Sequence, residues 1–391
     1  MAHAAPAITE KDLRQWKLLE DFRERLGVFA LQRQPHPSWK DPKRKLQQLD
    51  YLSLFLCGLV NPVLRTVRGL CEASHLQRVQ EEICTHPVSR GSFSEAQHVL
   101  DPELLEALLQ SLMAESSGPV PKDPHGAWQD WLARDSSIFP ALSRMVWARY
   151  GCGKAGRVNN AVRLHVSFNL FDEKPSSVAV TPGRECERIS WRKQLKSGAT
   201  YVGDRYFAED YKMFAKLEEK GCRFILRLRD EAVVNLEQEM ALPQPAKQTG
   251  ILSDQWVHLG RRAANRTGRL RVITIRKSDG KLMRLVTNIP PEEMSARDLQ
   301  VLYRRRWQIE CFFRWLKCLM GVRHWLAESQ AGVTAQLYLA LIAGLILQEV
   351  LGRRPSKRLW ERLQLYLMGW ATLEELMRAV QADRVLKLKK A

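Results

Sequence analysis

The stretch YRRRWQIECFFRWLK, residues 303–317, carries two patterns at once. Ile309, Phe312, Phe313 and Leu316 recur at helical spacing and form an apolar face able to seat a helix against a sheet. At about 100° per residue, Tyr303, Arg306, Glu310 and Lys317 fall within an arc of roughly 60°, with Trp307 and Arg314 just beside it. One acid therefore stands among at least five bases. A solvated structural helix mixes signs around its exposed face, whereas bases this dense repel one another unless an anion lies against them. Ser295 with Asp298 forms a capping-box start, so a single helix is expected from there to about Met320, before Gly321.

The rest of the chain agrees with an anionic partner. Its 391 residues carry a net charge of +18, which surrounds the surface with positive potential and draws polyanions by counterion release. A hydrophobic content of 45% suffices for one large domain plus one or two smaller ones, each with its own core. The eight cysteines show no Cys-x-x-Cys pair and read as reduced thiols of a cytoplasmic protein. No basic-then-apolar leader opens the chain, so export is not expected. The apolar run 331–351 contains Gln336, Gln348 and Glu349 and reads as a buried core helix rather than a membrane span.

Residues 10–115 show helical periodicity in KLQQLDYLSLFLCGLV and again in LDPELLEALLQSLMAES, predicting an all-α unit over 1–115. SSGPVPKDPHG gathers proline, glycine and serine and predicts a linker over 116–127. The period then shortens: WQDWLARDSSIF, AVRLHVSFNLF, SSVAVTP, TYVGDRYF and CRFILRLR read as strands with helical segments between them, which is a mixed α/β domain beginning at 128. A second strand-rich stretch, 231–294, contains the Asp-Gly turn SDGK and reads as a β-rich insertion dividing that domain into 128–230 and 295–351. Residues 352–391 form a helical tail with a basic end.

Cleaving a phosphodiester requires an activated oxygen nucleophile, charge relief at phosphorus and a stabilised leaving oxygen, and two divalent metals about 3.5 to 4 Å apart supply all three. Such hard cations take carboxylates. Asp135 in LARDSSIF and Asp204 in YVGDRYF are lone acids among apolar or small residues, and Glu310 is the lone acid of the 303–317 stripe. Singly, each has an ordinary reading: an Asp at a strand end is commonly a cap, and a Glu on a basic helix is commonly a salt-bridge partner of Arg306 or Arg314. The combination of two such aspartates with a glutamate beside phosphate-binding groups is what points to catalysis.

The spacing Tyr303, Arg306, Glu310, Lys317 resembles the Tyr-Arg-Glu-Lys signature of bacterial insertion-sequence transposases of family four, and RDSSIF and GDRYF resemble the segments holding that family's two aspartates. The resemblance covers about 128–350 and extends faintly into the N-terminal helices. It implies an RNase H-like core in which Asp135, on the first strand, Asp204, on the fourth, and Glu310 bind two Mg²⁺ ions, with Mn²⁺ able to substitute. It further implies that Tyr303, Arg306 and Lys317 hold the element's end, with Arg314 beside them. The implied partners are double-stranded DNA, as terminal inverted repeats and as target, and a second copy of the chain in a synaptic dimer, with no membrane.

By similarity, a basic residue and a histidine lie near the first aspartate, matching Arg163 and His165, and a tryptophan from the insertion stacks on a flipped base, for which Trp256 is the candidate. His165 reads equally as a core histidine and Trp256 as a core aromatic. Asp-Ser-Ser departs from the family's Asp-Gly-Ser or Asp-Gly-Thr, and Asp130 lies close by as a competitor for the first position. The implied activity is cutting of the element's ends and joining of a 3′-hydroxyl to target DNA. A nuclease that does not join, or an inactive DNA-binding descendant, are the rival expectations.

Overall fold

The computed structural model describes residues 17–61, 63–115, 130–152, 158–242, 250–261, 266–320, 324–352 and 354–388. The expected linker, 116–127, lies outside the described residues. Among the described residues six α-helices come first: α1 (Lys17–Leu31), α2 (Gln48–Val60), α3 (Val67–Ala73), α4 (Gln77–Glu82), α5 (Arg90–Ala96) and α6 (Pro102–Ala114). Their starts follow from local chemistry. Thr66, Ser89 and Asp101 each accept a backbone N–H of the first turn, and Pro102 occupies a position whose missing N–H costs nothing.

Ten strands follow: β1 (Trp131–Pro140), β2 (Arg149–Cys152), β3 (Val158–Asn169), β4 (Lys174–Pro182), β5 (Thr200–Gly203), β6 (Arg223–Arg227), β7 (Val234–Glu239), β8 (Ile251–Leu259), β9 (Leu270–Arg276) and β10 (Leu282–Thr287). All belong to one sheet of order β2-β3-β1-β5-β6-β10-β9-β8-β7, with β4 also on β3. β3 runs antiparallel to β1, while β5 and β6 run parallel to it and to each other. Parallel neighbours need crossovers, and α7 (Glu187–Lys193) and α8 (Tyr211–Glu219) lie in the connections that supply them.

The expected β-rich insertion is a meander, β7 to β10, but it does not stand apart. β10 pairs with β6, Leu285 opposite Arg227, so the meander continues the same sheet. An unpaired β6 would otherwise leave a row of open backbone groups.

Among the described residues five further helices follow: α9 (Ala296–Arg305), α10 (Trp307–Met320), α11 (Gln330–Leu351), α12 (Lys357–Leu367) and α13 (Leu373–Leu388). The single helix expected from 295 to 320 is therefore two. At Arg306 the N–H bonds back only three residues, to the Tyr303 carbonyl at 3.1 Å, and Ile309 does the same to Arg306. This tighter turn separates α9 from α10. α11 is long and apolar enough to cross a membrane, but 83% of its most apolar window is buried inside the protein, where it serves as the central core helix.

The N-terminal helices, expected to have a core of their own, share their interior with the sheet and the later helices. Tyr51, Phe55, Phe93 and Leu105 belong to the same buried cluster as Phe139 and Val166 of the sheet, Ile309 and Phe312 of α10, and Leu341 of α11. Gln97 ties the two parts directly, its Oε1 accepting the N–H groups of Glu328 and Ser329 at 2.7 and 2.9 Å. A second cluster, on the opposite face of the sheet, unites Leu132, Tyr201 and Leu226 with Trp191 of α7 and Phe214 and Leu217 of α8.

Candidate active site

Alternation along β1 decides which side chains meet. Ala133 and Phe139 enter the large cluster and Leu132 the second, so odd-numbered positions, Asp135 among them, face α10. In the parallel β1–β5 pairing Ala133 is level with Val202. Asp204 follows two residues after Val202, and its charge reaches Asp135. Asp204 is the first residue beyond β5 rather than part of it, and its Oδ1 accepts the Tyr206 N–H at 2.9 Å. The residue before it must be small, since a Cβ on Gly203 would come within 2.7 Å of Leu226.

Glu310 stands in the first turn of α10. Ile309, Phe312, Phe313 and Leu316 are buried and press that helix on the sheet, with the Phe312 and Phe168 rings 5.2 Å apart. Arg306 joins the elements. One guanidinium nitrogen lies 4.0 Å from Asp135 Oδ2 and another is hydrogen-bonded to Glu310. Burial pushes the Asp135 carboxyl up to about 7, with Glu187 and Asp204 adding to the rise while the Ser136 N–H and Arg306 oppose it. Among the described residues no three His, Cys, Asp or Glu side chains gather around a common ion position, and Arg306 is the cation that Asp135 and Glu310 share.

The remaining groups of the 303–317 stripe divide. Tyr303 is only 8% exposed, and burial raises its hydroxyl. It supports Arg306 from behind, its ring 6.0 Å from that guanidinium. Lys317 is exposed, its Nζ 5.4 Å from the Phe139 ring, and Arg314 stacks at 5.6 Å on Trp307, which is itself 52% exposed. Beside them a cavity of about 760 Å³ opens between the β9–β10 hairpin and the α9–α10 break, lined by Arg276, Lys277, Ser278, Arg304, Arg306 and Trp307 among others. Arg276, Lys277 and Arg304 were not singled out from the sequence. The only signal for the first two is their place beside the Asp-Gly turn.

Two expected site residues lie apart from the carboxylates. His165 is fully buried and lies opposite Ser136 in the β1–β3 pairing, on the face away from the carboxylates. Its Nε2 meets Thr181 Oγ1 at 3.0 Å, and burial together with Arg134 and Arg163 holds the ring well below its usual range, at about 3, hence neutral. It sits in the core of the sheet, closed off from solvent. Trp256 lies on β8, five strand spacings from β1 or roughly 24 Å. It is half-buried beneath the Arg269 guanidinium, 4.4 Å away. The competitor Asp130 precedes β1 and is ion-paired to Lys196, leaving Asp135 as the acid that faces α10.

The family model described as "Transposase DDE domain" matches residues 128–346, a span that includes all three carboxylates. "Probable transposase for insertion sequence element IS5377" of Geobacillus stearothermophilus is 27% identical over 214 residues, 54% of this chain and 54% of that protein. "Putative transposase y4zB" of Sinorhizobium fredii is 26% identical over 218 residues, 55% of this chain and 59% of that protein. "Putative transposase for insertion sequence element IS4SA" of Synechocystis is 31% identical over 321 residues, 79% of this chain and 83% of that protein. The matched stretch thus spans a little over half the length of the first two and most of the third.

Proposed function

The chain belongs to the family of transposases that carry the DDE domain, and from that premise we propose that it cuts the ends of an insertion sequence and joins the freed 3′-hydroxyl to target DNA. Asp135, Asp204 and Glu310 are the carboxylates of this reading. The observation that carries it is their placement: Asp135 on β1 and Asp204 directly after the parallel neighbour β5 are near enough for their charges to interact, and Arg306 links Asp135 to the glutamate of α10. The order β4-β3-β1-β5-β6, with only β3 reversed next to β1, supports the RNase H-like reading of the core.

The three carboxylates suit divalent cations, Mg²⁺ in the cell with Mn²⁺ as a substitute, because they offer hard oxygens and because Asp135, buried beside like charges, gains from a cation nearby. The chemistry bound ions supply is charge relief at the phosphate and activation of the attacking water or hydroxyl. The chain's own residues do the rest. Arg306 neutralises Asp135 and Glu310 while the site waits, and on a DNA end its donors are free to turn to a phosphate. Lys317, Arg314 and the basic cavity by Trp307 offer further donors along the backbone. Tyr303 lies beside the Arg306 guanidinium and helps hold it in place.

The division into helices over 1–115, a core over 128–230 and 295–351, an insertion over 231–294 and a tail over 352–391 belongs to the same proposal, as do cytoplasmic location and a synaptic dimer on terminal repeats, which rest on the family resemblance. Glu310→Gln tests the reading. End cleavage should vanish in Mg²⁺ while gel-shift binding of the element's end persists, and undiminished cleavage would overturn the triad. A strand-transfer assay on the wild type separates joining from mere cutting.

A further inference from the structure

On the far side of β1 from the carboxylates lies a polar cluster that the proposed chemistry leaves unused. Glu187, in the first turn of α7, accepts hydrogen bonds from the Ser136 hydroxyl and from Arg163 Nη1, the latter at 2.6 Å. Arg163 also donates to Ser136 Oγ at 3.1 Å and, through Nε, to the Gly183 carbonyl at 3.1 Å. The ion pair is largely buried. Nearby on this face are Arg134, bonded to Ser167, Ser190 and Gln194, and the neutral His165 on Thr181.

Ser136 is the residue after Asp135, and its backbone N–H donates to Asp135 Oδ1 at 2.8 Å. A chain of hydrogen bonds therefore runs through the thickness of the sheet, from Arg163 and Glu187 by way of Ser136 to the Asp135 carboxylate. It divides that carboxylate in two: Oδ1 is held by the peptide, and Oδ2 is the oxygen that faces Arg306. Apolar side chains would fill this space with equal stability, since a buried ion pair gains little over a packed isostere. The arrangement instead matches what orients a ligating group, where outer partners fix the rotation of the inner one.

We propose that Glu187, clamped by Arg163, is a positioning residue that locks Ser136 and so aims Asp135 Oδ2 at the reaction side of the sheet. This rests on the assignment of Asp135 made above. The full-length chain carrying Glu187→Gln, Glu187→Asp or Ser136→Ala is compared with wild type by Mn²⁺ binding in electron paramagnetic resonance without DNA, by kcat and half-saturating DNA concentration in end cleavage, and by melting temperature. In Glu187→Gln and Ser136→Ala, Mn²⁺ affinity and kcat should each fall about ten- to hundredfold. The half-saturating DNA concentration should hold, Ser136→Ala should melt as wild type does, and Glu187→Asp should recover part of the loss. Variants that bind Mn²⁺ and cleave within about twofold of wild type overturn the proposal. So do losses that follow melting temperature and DNA affinity alike, since those mark a purely structural role. Asp135→Asn keeps the two readings apart: if it cleaves normally the carboxylate assignment itself fails, and if it is inactive while Glu187→Gln and Ser136→Ala are normal only the positioning role fails.

Discussion

The two faces of the sheet at β1 are a residue apart in sequence and opposite in character. On one, Asp135 and Glu310 share the Arg306 guanidinium, and Asp135 is pushed up to about 7 by burial and by the like charges of Glu187 and Asp204. On the other, Arg134, Arg163, Glu187 and His165 all have partners within the sheet and α7, and His165 is pushed down to about 3 by burial beside two arginines. Both faces hold charge, but only one holds it short of compensation. A group whose charge is incompletely matched by the fold is matched by whatever the protein binds.

Substitutions on the two faces should differ accordingly, and the largest effect belongs to the first. A bound cation contributes several kcal/mol to the transition state, and at 1.36 kcal/mol per tenfold Asp204→Asn should slow end cleavage by roughly 10³ in a quenched-flow or gel assay. Next is Arg306→Ala, which should weaken binding of the element's end about tenfold and lower the slope of log affinity against log salt by about one, as one phosphate contact is removed. A binding curve with an unchanged salt slope would return Arg306 to the carboxylates alone.

Acidity gives a third contrast. The native state holds a proton on Asp135 more tightly than the unfolded chain does, so stability present at low pH is lost as pH rises from the unfolded value of 3.8 through about 7. In chelator, this contribution to the melting temperature should decline between about pH 4 and 7, and Asp135→Asn should flatten the decline. The smallest functional effect is expected on the second face. His165→Leu leaves the Thr181 hydroxyl without its imidazole partner and should cost about 1–3 kcal/mol of stability by denaturant titration, with cleavage per folded molecule unchanged. Lost cleavage at full stability would erase the distinction between the faces.

Much of the first face could be read from residues alone. Asp135 and Asp204 are conspicuous because each is a lone acid among apolar or small residues, and Glu310 because it is the lone acid on a basic stripe. What was not legible is whatever depends on pairing. The identity of β3 as a strand follows from its composition, but one residue of slip in its register with β1 would have turned His165 to the other side. Trp256 was equally readable as a strand aromatic, yet its distance from the carboxylates depends on the strand order β6-β10-β9-β8, which no local pattern encodes. The break at Arg306 is invisible for another reason: the segment contains neither proline nor glycine, and Arg306 keeps helical angles, φ −50° and ψ −30°, while its hydrogen bond shortens by one residue.

The interior shared by the N-terminal helices, the sheet and α11 bears on how such a chain can change over time. Proteins whose parts are strung as independent beads can trade one bead for another and keep working. Here a borrowed set of N-terminal helices would have to fit Leu341 and Val166 as well as its own neighbours, so those helices have to drift together with the rest of the molecule instead of being acquired whole from elsewhere.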